Sequence, residues 1–142
     1  MSTDQQERAV DQAVRALNAR DWETYGRLWA ESLVTYAPGL GEPSKGRAAR
    51  VKWVQGIIEA FPDGLVEKKR SFGQGDWLCV EATFAGTHKG PLLGPSGNAV
   101  PATNKRVRFP YCLVMKFNSG EVTELHEYFD QIEILTQLGL VP

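Results

Sequence analysis

The chain has 142 residues, 42% of them hydrophobic and 23% charged, and its 16 Lys and Arg against 17 Asp and Glu give a formal net charge of −1. That is the balance of an ordinary folded chain of single-domain length (~100–150 residues), and it offers no general electrostatic attraction to nucleic acid or to an anionic membrane. Two cysteines, Cys79 and Cys112, are too few for a disulfide scaffold or a four-cysteine zinc site. The first residues lack the basic and apolar regions of a secretion signal, and no stretch approaches the ~18 apolar residues of a membrane span. A cytoplasmic protein with reduced thiols is expected, folded as one domain over residues 1–142.

Residues 4–20 predict a helix, because Ala9, Val10, Ala13, Val14 and Leu17 recur at three- and four-residue spacing. Thr3 and Gln6 have the spacing of a capping box. Asp21 is a good N-cap for a second, short helix carrying Trp22, Tyr25, Leu28 and Trp29 on one face. A short strand is weakly signalled at 33–36, and the Gly- and Pro-rich residues 37–46 read as loop. A third helix spans about 47–61, with a stripe of Val51, Val54, Ile58 and Phe61 flanked by Trp53 and Ile57; Pro62-Asp63-Gly64 ends it.

From residue 65 the apolar period changes to two, which predicts strands. They cover about 65–72, 77–88, 107–117 and 121–130, with turns at Gln74-Gly75-Asp76 and Asn118-Ser119-Gly120. On the second, Leu78, Val80, Ala82, Phe84 and His88 share a side; on the third, Val107, Phe109, Tyr111, Leu113, Met115 and Phe117 do. On the last, the even side is Val122, Glu124, His126, Tyr128 and Asp130. A C-terminal helix at 131–138 stops at Gly139. Helices followed by an antiparallel run indicate α+β. The two central strands are long enough to curl, so the expected architecture is a cone-shaped curved sheet with the N-terminal helices over its concave face, enclosing a pocket. Residues 86–104 form an unusually long connection with three prolines, as expected of a loop at a pocket mouth.

Several short motifs, in order, resemble one family. They are Phe61-Pro62-Asp63, Gly75-Asp76, Gly86-Thr87-His88-x-Gly90, Pro101-Ala102-Thr103, Gly120-x-Val122, and Asp130 before Gln137-Leu138-Gly139. Together, from about Leu17 to Gly139, they resemble the SnoaL-like polyketide cyclase group of the superfamily named after nuclear transport factor 2. The resemblance implies a cone-shaped α+β barrel with an apolar pocket. It also implies a cofactor-free aldol ring closure in which an Asp, at the position of Asp130, is general acid/base. The wider superfamily includes isomerases, epoxide hydrolases, dehydratases and binding proteins, so the fold alone does not fix function. Two positions depart from the pattern: Asn104 stands where Gly is usual, and Leu125-His126 stands where many relatives have His-Trp.

The candidate catalytic residues are Asp130, His88 and His126. A carboxylate in an apolar pocket gains basicity, and His titrates near neutral pH. Asp130 with Glu133 three residues on also reads as a helix cap, and both readings stand at this point. Tyr25, Trp29, Trp53, Phe84, Phe109, Tyr111, Met115 and Tyr128 are the candidate substrate-binding residues, since sites for flat polycyclic ligands are mostly apolar. Two His with no Cys or carboxylate at ligand spacing make no metal site. No cofactor fingerprint or nucleophile motif is present. The sequence thus predicts a cofactor-independent polyketide cyclase-like enzyme acting on a small apolar or polycyclic substrate. The alternatives are a non-catalytic small-molecule-binding protein, and a hydrolase or isomerase of the epoxide hydrolase or ketosteroid isomerase kind. Outward-facing Cys79, Cys112 and Val114 make an apolar centre on the outer sheet face, which predicts a homodimer or an assembly of dimers.

Overall fold

The computed structural model describes residues 1–93 and 97–141. Three helices come first: α1 (Thr3–Asn18), α2 (Trp22–Gly26) and, after strands β1 (Trp29–Tyr36) and β2 (Ser44–Lys45), α3 (Arg47–Ala60). Then follow β3 (Leu65–Gln74), β4 (Trp77–Thr87), the two-residue strands β5 (Leu92–Leu93) and β6 (Ala99–Val100), β7 (Arg106–Asn118), β8 (Glu121–Tyr128) and α4 (Gln131–Gln137). Six strands form one sheet in the order β2-β1-β8-β7-β4-β3, in which only β1 and β8 run parallel. The result is the expected α+β cone, with the helices across the concave face.

Local chemistry accounts for the element ends. The capping box at α1 sits one residue earlier than expected: Ser2 Oγ accepts from Gln5 N–H at 3.2 Å, and Gln5 Oε1 accepts from Ser2 N–H at 2.8 Å. Gln6 cannot serve, because it lies on the buried face and donates to Gly75 O at 2.9 Å. Asp21 caps α2 through Thr24 N–H. That helix ends at Gly26, so Trp29 belongs to β1 and not to the α2 face predicted for it. The turns behave as their residues require: Ser119 and Gly120 have φ of 53° and 85°, Gly139 has 73°, and Asn104 has 59°, taking the left-handed position of the usual Gly.

The central pair, β4 and β7, runs in unbroken antiparallel register from Trp77↔Lys116 to Thr87↔Arg106. Pairing continues one step further, with His88 N–H donating to Lys105 O and Asn104 N–H to His88 O. The expected loop at 86–104 is therefore partly ladder, and β5 pairs with β6 inside it; its residues 94–96 lie outside the described residues. Leu78, Val80, Ala82 and Phe84 from β4, with Val107, Met115 and Phe117 from β7, join Val10, Leu17, Tyr25 and Trp29 in the core. No described helix is long and apolar enough to cross a membrane.

One irregularity re-aims β8. Lys116 pairs with Glu124 and Phe117 with Val122, so Thr123 is an extra residue, a β-bulge. Side chains alternate along a strand, and a one-residue slip exchanges the faces. Up to Val122 the even residues face inward; beyond the bulge the odd ones do, and Leu125 and Glu127 are buried. The even side predicted to face the interior is split by this bulge, and its C-terminal half faces outward.

Candidate functional site

The bulge leaves Glu127 as the carboxylate that β8 directs into the cone. It meets Arg50 from α3, whose inward side is Arg50 and Val54 with Ile57. Arg50 Nη1 donates to Glu127 Oε1 at 3.0 Å and Nη2 to Oε2 at 3.1 Å, with the two side chains 5% and 8% exposed. Arg50 Nε also donates to Tyr25 Oη at 3.2 Å, and its guanidinium carbon lies 5.0 Å above the Trp29 ring. Four elements, α2, β1, α3 and β8, thus meet at one buried guanidinium.

The electrostatics follow from burial. Burial alone would lower the Arg50 pKa, but the Glu127 carboxylate and then Tyr25 outweigh it, and the group is raised above its ordinary value. Burial raises Tyr25, against an opposing pull from Arg50, and the phenol stays protonated at neutral pH. Tyr111 is also raised, chiefly by burial and then by Glu127 and Tyr25, which places it in the same electrostatic neighbourhood. An Arg–carboxylate pair out of water is stable only with good geometry and further hydrogen bonds, and both are present here.

Burial is uneven along the interior side of β7. Val107, Met115 and Phe117 are sealed, whereas Phe109, Tyr111 and Leu113 between them are only partly buried. Rings continue along this wall, Phe84 to Phe109 at 5.6 Å and Phe109 to Tyr111 at 6.3 Å. Ile134 of α4 and Trp22 of α2 are partly buried against the same core.

The residues expected from the sequence divide. Tyr25, Trp29, Phe84, Phe109 and Tyr111 line the interior, and Met115 lies within the packed core. Trp53 does not face the sheet: α3 turns its Arg50 side inward, leaving Trp53 41% exposed. His126 and Tyr128 lie beyond the Thr123 bulge and so face outward. His126 stacks on Tyr36 with centroids 4.6 Å apart and bonds Glu124 at 2.7 Å, while Tyr128 is exposed. Asp130 is exposed as well, and its Oδ1 accepts from Ile132 N–H at 2.9 Å and Glu133 N–H at 3.2 Å, as an N-cap of α4. It borders an open depression of about 590 Å³ lined by Pro38, Pro110, Tyr128 and Ile132 among others, and is not directed into the cone.

His88 is fully buried, but it has a structural set of partners. Its Nδ1 accepts from Thr103 N–H at 3.2 Å and lies 3.0 Å from Thr103 Oγ1, and its ring packs 5.3 Å from Phe61. Burial lowers its pKa, against a smaller opposing pull from the Gly90 backbone. The short motifs explain themselves in the same region. Asp63 accepts from Thr87 N–H at 2.6 Å and Thr87 Oγ1 at 2.9 Å. A Cβ on Gly86 would stand 3.0 Å from Phe61 Cβ, so these residues weld the end of α3 to the end of β4.

Glu127 and Arg50 escape sequence reasoning. Arg50 sits among Lys45, Arg47 and Lys52, which reads as a solvated basic face, and Glu127 falls on the side of β8 that period two turns outward. The one local signal was an Arg at helical spacing from Val54 on an otherwise apolar stripe.

The chain is thus a curved α+β cone whose interior holds a buried ionic and phenolic cluster. A family model for SnoaL-like polyketide cyclases matches residues 7–138, and the chain belongs to that family. No curated protein matches it. Among solved structures, AclR of Streptomyces galilaeus, named as a hydroxylase, is 26% identical with a TM-score of 0.84, over 99% of this chain and 89% of that one. A Jannaschia sp. CCS1 protein named as a SnoaL-like polyketide cyclase is 20% identical with a TM-score of 0.85, over 100% and 98%. A Mycobacterium tuberculosis epoxide hydrolase of the LEH-like kind is 21% identical with a TM-score of 0.71, over 96% and 90%. Different activities are named on this one fold.

Proposed function

We propose that this protein is a cofactor-independent acid–base enzyme that closes a ring in a polyketide-like carbonyl substrate by an intramolecular aldol step, with Glu127 in the role that the family resemblance implies for Asp130. The observation that carries this reading is the Arg50–Glu127 pair bonded to Tyr25 inside the cone. Membership of the cyclase family supports the substrate class.

In this scheme the substrate lies along the Phe84–Phe109–Tyr111 wall. Each Glu127 oxygen accepts one Arg50 hydrogen bond and keeps a second lone pair, to which a proton alpha to a carbonyl is transferred. Arg50 Nε donates to Tyr25 Oη, so Tyr25 accepts there and its own O–H remains free to hydrogen-bond the enolate oxygen while keeping its proton. The nearby guanidinium charge strengthens that donor. The enolate carbon attacks the second carbonyl, and the proton held by Glu127 returns to the new alkoxide, so nothing is consumed. The aromatic wall supplies orientation, which accounts for much of the rate in a ring closure.

The test is proton exchange at the acidic carbon of a poly-β-keto methyl ester in heavy water, followed by NMR together with ring closure. Glu127→Gln is expected to lower both by ~100-fold or more, and Tyr25→Phe by ~100-fold. Asp130→Asn is expected to retain activity, because Asn also caps helices. An inactive Asp130→Asn beside an active Glu127→Gln would return the role to Asp130 and sink this reading.

A further inference from the structure

The chain holds two cysteines among 142 residues, 33 positions apart, and the fold brings their sulfurs together. Cys79 of β4 and Cys112 of β7 have their Sγ atoms 3.4 Å apart. Both thiols are free and only partly buried. A thiol kept for packing alone behaves as a small apolar group and is among the most buried of side chains. Here Leu78 and Val80, on either side of Cys79 along β4, are sealed in the core, while Cys79 stands on the outer face. The chemistry proposed for the interior uses neither sulfur.

The contact is set by register. Cys79 pairs with Val114 and Glu81 with Cys112, so the two cysteines are diagonal neighbours on one face of adjacent strands. The pairing is unbroken from Trp77↔Lys116 to Thr87↔Arg106, so the strands cannot slide to part the sulfurs without breaking the ladder. Among the described residues, no third His, Cys, Asp or Glu joins them at metal-binding spacing. Two thiols in contact, partly exposed and without a third ligand, have the chemistry of a two-electron dithiol–disulfide couple.

We propose that Cys79 and Cys112 are a reversible modification site, oxidised by small-molecule disulfides to an intrachain bond that ties β4 to β7. Cys79 releases its proton to solvent and attacks one sulfur of the small disulfide, so a mixed disulfide forms on Cys79 and one small thiolate leaves. Cys112 gives its proton to that thiolate, and its sulfur attacks Cys79 Sγ and expels the second thiolate, which takes a proton from solvent. Two protein thiols and one small disulfide thus become one protein disulfide and two small thiols, and the two electrons pass to the small disulfide. The surroundings suit this order. Burial and then Cys79 push the Cys112 thiol up to about 11, and Glu81 adds to the rise, so Cys112 is not the first to attack. A strongly oxidising disulfide draws its driving force from a stabilised reduced form, and Cys112 has no such stabilisation, so mild disulfides suffice. The sulfurs need to close from 3.4 Å to ~2.0 Å, which side-chain rotation and a small change of strand twist supply. The bond ties the two strands that carry Phe84, Phe109 and Tyr111 on their inner sides.

Equilibration of the native protein with oxidised and reduced glutathione over a range of ratios, without oxygen, tests this. Remaining thiols are capped with N-ethylmaleimide and the intact mass is read, with circular dichroism to follow the fold. The wild type is expected to lose both thiols in one step, with two hydrogens gone, no glutathione retained and the dichroism unchanged. Reduced glutathione in excess is expected to restore both thiols. Cys112→Ser is expected to hold one glutathione on Cys79, and to need a ratio ~10-fold or more further toward oxidised glutathione for half-conversion, because it lacks the neighbouring thiol that closes the bond. A wild type that keeps both thiols at every ratio, takes up two glutathiones, or links only to a second chain on a non-reducing gel overturns the proposal. So does an internal bond that forms only in urea, since the folded register would then play no part.

Discussion

Arg50 is the residue on which the interior depends. Its guanidinium is buried, bonded at Nη1 and Nη2 to Glu127 and at Nε to Tyr25, and stacked over Trp29. Removing one member of such a pair leaves the other charge buried without compensation, whereas removing both with apolar groups of similar size leaves no such charge. Arg50→Met and Glu127→Leu are each expected to cost ~3–5 kcal/mol, and the double variant less than either. Urea unfolding of the four proteins measures this directly; additive losses would show that the pair is not coupled. Asp130 illustrates the converse. Both of its supports were visible in the sequence, the cap spacing and the family position, and the structure shows it in the capping geometry.

At the scale of elements, the Thr123 bulge decides what β8 offers the interior. Without it, strict alternation from Val122 would carry Glu124, His126 and Tyr128 inward and turn Leu125 and Glu127 out. With it, a buried Leu and the Arg50 partner face the core. Deleting Thr123 is therefore expected to cost more than ~3 kcal/mol, by exposing Leu125 and orphaning Arg50. Thermal unfolding reads the loss, and a deletion variant as stable as the wild type would show that β8 can shift register freely. Most of the secondary structure was legible because its signals are local: capping side chains, a switch of apolar period from 3.6 to two, and turn residues that tolerate positive φ. The bulge has no such signal. Val122-Thr123-Glu124 is ordinary strand sequence, and the extra residue appears only when β8 is laid against β7.

For the whole molecule, His88 joins distant parts of the chain. Its backbone extends the β4–β7 ladder, its ring accepts from Thr103 N–H, and it packs on Phe61 at the end of α3. Its pKa is lowered in the folded state by burial. Below the ordinary His value of ~6.5, the unfolded chain therefore binds more protons than the native one, and stability falls as pH drops from there toward the lowered folded value. His88→Asn keeps an acceptor for Thr103, so it is expected to flatten this part of the profile at some cost at neutral pH. Denaturant unfolding between about pH 7.5 and about pH 5 checks it, and an unchanged slope would assign the pH dependence to other groups. The Cys112 thiol, pushed up to about 11 by burial and by Cys79, stays protonated across that range.

The sequence by itself determined the α+β class, the order of the elements, the inward sides of β4 and β7, and the neighbouring outward thiols. Each follows from periodicity or from counting along two strands joined by one connection. Five of the eight proposed aromatic and apolar binding residues, Tyr25, Trp29, Phe84, Phe109 and Tyr111, line the interior because apolar side chains on an inward face have nowhere else to go. Tertiary structure alone decided the polar centre. Arg50 and Glu127 lie 77 residues apart, each reads as surface in its own segment, and neither would be buried without the other. A charge pair is a property of two distant positions brought together, and a one-residue bulge fixed which carboxylate of β8 would meet the guanidinium.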